Sequence, residues 1–326
     1  MKKITKIISL TLAMMLVLLS FASCGLVQDT ADVEKARITR ETVLKISDDI
    51  EVTGAYYGYY FMSVYNEKLQ EISAAMSDSA AQSDSAPEID KEEIKKEAIN
   101  RVVATKMAYT KAIDEGIELS KEDNANISSI IDQMTTSITQ NGMTFTAFCQ
   151  AMETSSEGIE QVITEEYIGN LYYAKIVSDE FVSAKHILVE AADEASKPEA
   201  LAQIKDIKSK LDSGEDFDKL MNEFSTDPGL QTQPDGYTFT KGQMVEPFEN
   251  AAFALETGKI SDIVETDYGY HIIKRVETNL SGVASALTES ASTEMMEKIE
   301  AEKAELVKGV KTEETKKFSY YDTLIN

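Results

Sequence analysis

AKHILVE at residues 184–190 reads as a strand, and HIIKRV at residues 271–276 closes the same unit as a second one. Each holds one of the only two histidines in the 326 residues, His186 and His271. Between them, residues 198–211 and 217–224 carry helical periodicity. Proline and glycine then punctuate the chain at Asp227-Pro228-Gly229, Pro234-Asp235-Gly236, Gly242, Gly258 and Gly269. Helices and turns inserted between the strands, without a repeated strand–helix–strand unit, predict an α+β fold.

Upstream, the pattern is helical. Residues 42–46 read as a short strand. Thr53 then suits an N-cap for a helix running to about residue 76. That helix opens with AYYGYYFMSVY, residues 55–65. Tyr56, Tyr60 and Val64 share one face, and Tyr57, Phe61 and Tyr65 the next. Such stripes are either helix-packing core or an aromatic surface for a client chain. SDSAAQSDSAPEID, residues 77–90, reads as a loop. Helix returns from Lys91 to about Glu115 with Gly116 as C-cap. Ser120 and Asp123 form a capping-box pattern for a helix to about Gln140. Asn141-Gly142 ends it, and helices follow over 145–152 and about 157–178. A last helix is expected over about 284–310, with KKFSYYDTLIN, residues 316–326, as its tail.

The first residues have the order of a secretory signal. Lys2, Lys3 and Lys6 precede an apolar run from Ile7 to Leu19, and small residues Ala22 and Ser23 lead to Cys24. The run is too short for a stable spanning helix. Small residues directly before a cysteine resemble a bacterial lipobox, which implies lipidation of Cys24 and cleavage before it. Phe21 stands where that pattern usually has leucine. Cys149, the only other cysteine, lies in the apolar stretch TFTAFCQAM with no histidine nearby, and reads as a buried thiol rather than a nucleophile.

The formal net charge is -25. A chain so acidic repels nucleic acid, and it has no basic stripe interleaved with aromatics. Apolar residues at 43% and charged residues at 27% are ordinary for a globular protein.

AKHIL, the FSTD turn at 224–227, GQMVEPFENAAFAL at 242–255, GKIS at 258–261 and YGYHII at 268–273 are together similar, in order and spacing, to the parvulin family of peptidyl-prolyl isomerases. The helical half, through its helix order and NGMTF and SSEGIEQVITEEYI at 141–145 and 155–168, resembles the chaperone domains of SurA-type and PrsA-type foldases. These resemblances imply five regions: a lipoprotein signal peptide (1–23), a tether (24–41), a helical chaperone domain (42–180), a compact parvulin domain (181–278), and a C-terminal helix packing with the N-terminal domain (279–326). They imply peptidyl-prolyl cis-trans isomerase activity, EC 5.2.1.8, on unfolded exported polypeptides carrying X-Pro bonds. They imply no metal and no cofactor, and a lipid-anchored place on the outer face of the bacterial cytoplasmic membrane.

Residue by residue, the resemblance puts His186, Asp227 and His271 in the catalytic centre. It puts Phe239, Gln243, Met244, Phe248 and Tyr268 around the pocket for the substrate proline. The histidines can act chemically, or hydrogen-bond each other and hold the strands. Asp227 can act on the twisting amide, or merely close its DPG turn. Two departures from the family pattern keep a non-catalytic holdase as the alternative. Tyr268 stands where many active relatives have serine or threonine, and PDGYTF at 234–239 shifts the glycine and places Tyr237 beside it. EAADEASKPEA, residues 190–200, is acidic where the phosphate-directed branch is basic, so phosphoserine-proline is not the expected target.

Overall fold

The computed structural model describes residues 35, 37–47, 49–78 and 89–324. The signal segment, Cys24, most of the tether and most of the 77–90 loop lie outside them. Among the described residues, no helix is long and apolar enough to cross a membrane. The chain divides into two units, residues 1–172 with 301–326, and residues 173–300.

The first unit contains α1 (Gly54–Asp78), α2 (Lys91–Asp114), α3 (Lys121–Gln140), α4 (Phe145–Ala151) and most of α5 (Ser156–Ile176). Its sheet has the order β2-β1-β7, from β1 (Thr42–Ile46), β2 (Ile50–Thr53) and β7 (Thr312–Glu314), all antiparallel. Local chemistry sets the helix starts. Asp90 accepts from the N–H groups of Glu92 and Glu93, and Ser120 and Asp123 form the reciprocal capping box their spacing predicts. The aromatic opening of α1 is core. Tyr56, Tyr57, Tyr59, Tyr60 and Phe61 are each fully buried, so they offer no surface to a client. The tail joins this core through Phe318 and Tyr321, whose rings lie 4.8 and 4.6 Å from that of Tyr57. Cys149 is buried, and burial pushes its thiol up to about 11, which leaves it unreactive at neutral pH.

The second unit is built on a four-stranded antiparallel sheet of order β4-β3-β6-β5. Its strands are β3 (Phe181–Glu190), β4 (Tyr237–Thr240), β5 (Val264–Thr266) and β6 (Gly269–Val276). Two helices, α6 (Lys197–Asp212) and α7 (Phe217–Phe224), cover one face through Ile204, Ile207 and Leu220 against Ile187 and Ile272. The helix α8 (Glu246–Ala254) covers the other through Phe248 and Ala252, against Val182, Ala184 and Ile273.

The expected single helix over 284–310 is two helices, α9 (Leu280–Ser290) and α10 (Thr293–Val307). Ala291 turns extended, and the Ser292 hydroxyl accepts from Met295 N as the cap of a new start. Residues up to 300 belong with the second unit, where Val283, Leu287, Met295 and Ile299 form a cluster with Val177 and Phe181. Only the chain from Ala301 belongs with the first.

Candidate active site

Strand parity assembles the site. In β3 alternate residues point to opposite faces, so Val182, Ala184 and His186 share one face while Ile187 and Val189 take the other. Register pairs Leu188 with His271 and His186 with Ile273 in β6, and Ala184 with Tyr237 in β4. The two histidines and Tyr237 therefore stand together on the α8 face. The rings of His186 and His271 are 5.3 Å apart, and Phe248 sets its edge against both at 5.2 and 5.4 Å.

Asp227 is delivered by a stapled turn. Ser225 Oγ accepts from Leu188 N, Thr226 N donates to Leu188 O, and Glu190 N donates to Thr226 Oγ1. These bonds fix Ser225 and Thr226, the residues before Asp227, to β3 at Leu188 and Glu190, two and four residues beyond His186. Asp227 Oδ1 then accepts from Gly229 N at 3.1 Å, and Oδ2 accepts from the Tyr237 hydroxyl at 2.7 Å. His186 Nε2 lies 3.5 Å from that same Oδ2. Asp227 thus both closes its turn and faces the histidine.

Burial holds the His186 imidazole below its usual range, with Asp227 opposing the effect. Burial, and then the neighbouring His186, take His271 down to about 4. Both rings are neutral at pH 7, so the contact of His186 with Asp227 is polar rather than an ion pair. The hydrogen bond between the histidines, one of the two roles open to them from the sequence, is not formed. His271 Nε2 is engaged by Thr266 Oγ1 at 2.8 Å, and its Nδ1 is buried without a hydrogen-bond partner.

The expected proline wall divides into layers. Met244 is partly exposed and packs in the cluster of Phe248. Phe239 is 1% exposed and lies behind Phe248, ring to ring at 5.9 Å, so it supports the wall without presenting surface. Glu249 shapes the loop that carries Met244, accepting from Gly242 N and Met244 N. Gln243 is exposed. Its Oε1 accepts from Thr240 N at 2.7 Å, and its Nε2 donates to Ser290. Tyr268 is 61% exposed on the β5–β6 turn, where its N–H donates to Thr266 Oγ1.

Two residues of the site escaped the sequence reading. Thr266 holds His271, and the signal was its place opposite Gly269 across a two-residue turn. Tyr237 entered only as a departure from a family pattern, yet its hydroxyl bonds Asp227 and its ring stacks on His186 at 5.7 Å.

Residues 186–277 match the family described as "Rotamase: PPIC-type PPIASE domain". Among curated relatives, "Foldase protein PrsA" of Geobacillus kaustophilus is 50% identical over 94 residues, 28% of this chain and 30% of that one. "Foldase protein PrsA" of a second Geobacillus species is 38% identical over 141 residues, 40% and 47% of the two chains. "Parvulin-like PPIase" of Rickettsia bellii is 38% identical over 122 residues, 36% and 39%. The chain thus spans less than half the length of these relatives. Among solved structures, "Crystal Structure of PrsA from Bacillus subtilis" is 24% identical and covers 72% of this chain and 92% of that one, with a TM-score of 0.26. The parvulin of Nitrosopumilus maritimus is 44% identical, covers 30% and 96%, and has a TM-score of 0.24. Residues 186–277 thus match a PPIC-type peptidyl-prolyl isomerase domain, and within that match the two histidines, Asp227 and Phe248 come together beside one face of the sheet.

Proposed function

We propose that this chain is a peptidyl-prolyl cis-trans isomerase, EC 5.2.1.8, and a foldase for exported polypeptides. In this reading residues 42–180 hold the client, residues 181–278 turn over its X-Pro bonds, and a lipid on Cys24 tethers both to the outer face of the bacterial cytoplasmic membrane. The observation that carries the catalytic part is the convergence of two uncharged histidines, a hydrogen-bonded carboxylate and an apolar wall on one face of the sheet. The order Lys2–Lys6, apolar run, small residues, Cys24 supports the anchor.

The chemistry follows from the amide. A planar X-Pro bond draws its barrier of about 18–20 kcal/mol from resonance that places negative charge on oxygen and positive charge on nitrogen. Twisting removes that dipole and leaves a lone pair on nitrogen. Phe248 and Met244 give the proline ring an apolar seat, which disfavours the dipolar planar form more than the twisted one. The Asp227 carboxylate, 3.5 Å from His186 Nε2 and so beside the same wall, repels a carbonyl oxygen that carries resonance charge, and that repulsion relaxes as the charge drains away. Neutral His186 and His271 leave this repulsion unscreened by any local cation. Lowering the barrier by about 4 kcal/mol accelerates rotation roughly a thousandfold.

The test is a protease-coupled assay on an Ala-Pro peptide with the chain from Gly25 onward. Acceleration over buffer is expected, with Asp227→Ala and Met244→Ala each slower by at least about tenfold. No acceleration by the folded wild type would remove the isomerase reading. Suppression of client aggregation in that same preparation would leave the holdase alternative standing.

A further inference from the structure

Tyr237 is built into the site rather than tolerated beside it. Its phenol reaches Asp227 Oδ2 at 2.7 Å across ten residues of chain, and a gap has been left for it. A Cβ added to Gly229 would meet the Tyr237 hydroxyl oxygen at 1.8 Å, while Gly229 N donates to the other oxygen of the same carboxylate. On its other side, Tyr237 is brought to β3 by Gly236 at φ +94°, where a Cβ would strike Ala184 O at 2.4 Å. Two glycines thus bracket one tyrosine, one making room for its hydroxyl and one for its backbone. The ring lies at 29° to that of His186.

We propose that Tyr237 is a positioning residue of the isomerase site: its hydroxyl fixes the rotamer of Asp227, and its ring holds His186 against Phe248. The proposal rests on the isomerase reading above. A carboxylate at the end of one rotatable stem samples several orientations, and only one points into the space beside His186. Two donors, one per oxygen, select that orientation before substrate arrives. The phenol remains a donor at any working pH, because burial and then the bond to Asp227 raise its ionisation well above the usual tyrosine range. Tyr237 therefore does not shuttle protons, and its contribution is geometric.

The test uses the two histidines as reporters, since a chain with only two gives two imidazole signals in NMR. The titratable groups facing His186 are Asp227, His271 and Tyr237. Lys185 points to the opposite face, toward Asp218 and Asp235. In Tyr237→Phe, kcat/KM on an Ala-Pro peptide falls about tenfold, as expected for losing a hydrogen bond to a charged acceptor, while KM stays within about twofold. The His186 pKa rises as Asp227, freed of its phenol donor, turns to the imidazole, and that of His271 stays near its wild-type value. Gly229→Ala lowers kcat/KM as Tyr237→Phe does, but does so far less when added to Tyr237→Phe, because the colliding oxygen is gone.

Unchanged kcat/KM together with an unchanged His186 titration would overturn the proposal. So would both histidines rising together, which signals a loosened fold. If wild type shows no isomerase activity, the function assigned above fails, and the His186 titration, which needs no turnover, still decides whether Tyr237 positions Asp227.

Discussion

Both units of this protein contain a tyrosine hydroxyl bonded to a carboxylate, and the pairs serve opposite ends. In the helical unit, Tyr56 donates to Glu165 at 2.8 Å, and Lys106 Nζ bonds the other carboxylate oxygen at 2.8 Å while lying 4.0 Å over the Tyr56 ring. Gln161 adds a third donor, and Tyr60 repeats the motif with Glu166 at 2.6 Å. The Tyr56 hydroxyl, both Glu165 oxygens and Lys106 Nζ are all hydrogen-bonded, and a buried cation neutralises the Glu165 carboxylate. In the isomerase domain, Tyr237 donates to Asp227, but the neighbour is an uncharged imidazole and the phenol is partly exposed. The same pair locks three helices in one place and leaves a carboxylate short of positive charge in the other. What separates a structural network from a reactive one here is the cation and the solvent.

The sharpest way to break this comparison is to remove the cation. Lys106→Ala leaves Glu165 buried without its partner, and the loss expected is about 3–5 kcal/mol of stability. Asp227→Asn keeps an acceptor for Gly229 N, and the Tyr237 hydroxyl can turn to accept from the new amide NH2, so the expected change is below about 1 kcal/mol. Urea denaturation measures both. If Lys106→Ala lost less than Asp227→Asn, the helical network would not be the lock described.

A second contrast is in pH. Burial raises Glu166 to about 7, so its folded form binds more protons than its unfolded form between the ordinary carboxylate range and pH 7. Its contribution to stability is full at low pH and is lost as pH rises through about 7. His271 behaves oppositely. Its folded value of about 4 lies below the unfolded one, so the unfolded chain binds more protons between about 4 and 6.5. That contribution is present above about 6.5 and is lost as pH falls, reaching about 3 kcal/mol at the acid end. Glu166→Gln is expected to flatten the slope in the helical unit, and His271→Asn the slope in the isomerase domain. Hydrogen exchange at pH 7 and pH 5 separates the two, and slopes of equal sign in both units would refute the assignment.

How much of this was legible in the sequence varies with the physics that sets each element. The 217–224 helix, the capping box at Ser120 and the strands around both histidines are encoded locally, by periodicity and cap chemistry, and they appear where expected. β7 carries TEE with all three residues exposed, so no pattern announces it. It exists because β1 offers a free edge more than 260 residues earlier, and Thr315 N seals it at Val43 O. The break at Ala291 depends on one serine preferring a cap to a helix interior, a choice that composition alone leaves open. In the site, His186, Asp227, His271 and Phe248 came from a motif, and strand parity explains why they meet. Tyr237 was visible as an oddity, but its partner became visible only once the turn at 227–229 and the strand at 237–240 were side by side.

The smallest expected effect concerns a third tyrosine. Tyr57 packs its ring against Phe318 and Tyr321, yet its hydroxyl is buried with no hydrogen-bond partner. Of the three tyrosines, Tyr56 is locked, Tyr237 positions, and Tyr57 contributes only its ring. A buried hydroxyl without a partner has lost its water for nothing, a penalty of about 1–3 kcal/mol. Tyr57→Phe keeps the ring contacts and deletes that penalty. It should therefore raise the urea midpoint by the equivalent of about 1 kcal/mol with no change in slope. A lower midpoint would mean that the hydroxyl has a partner in solution, which would place Tyr57 with Tyr56 among the locked residues.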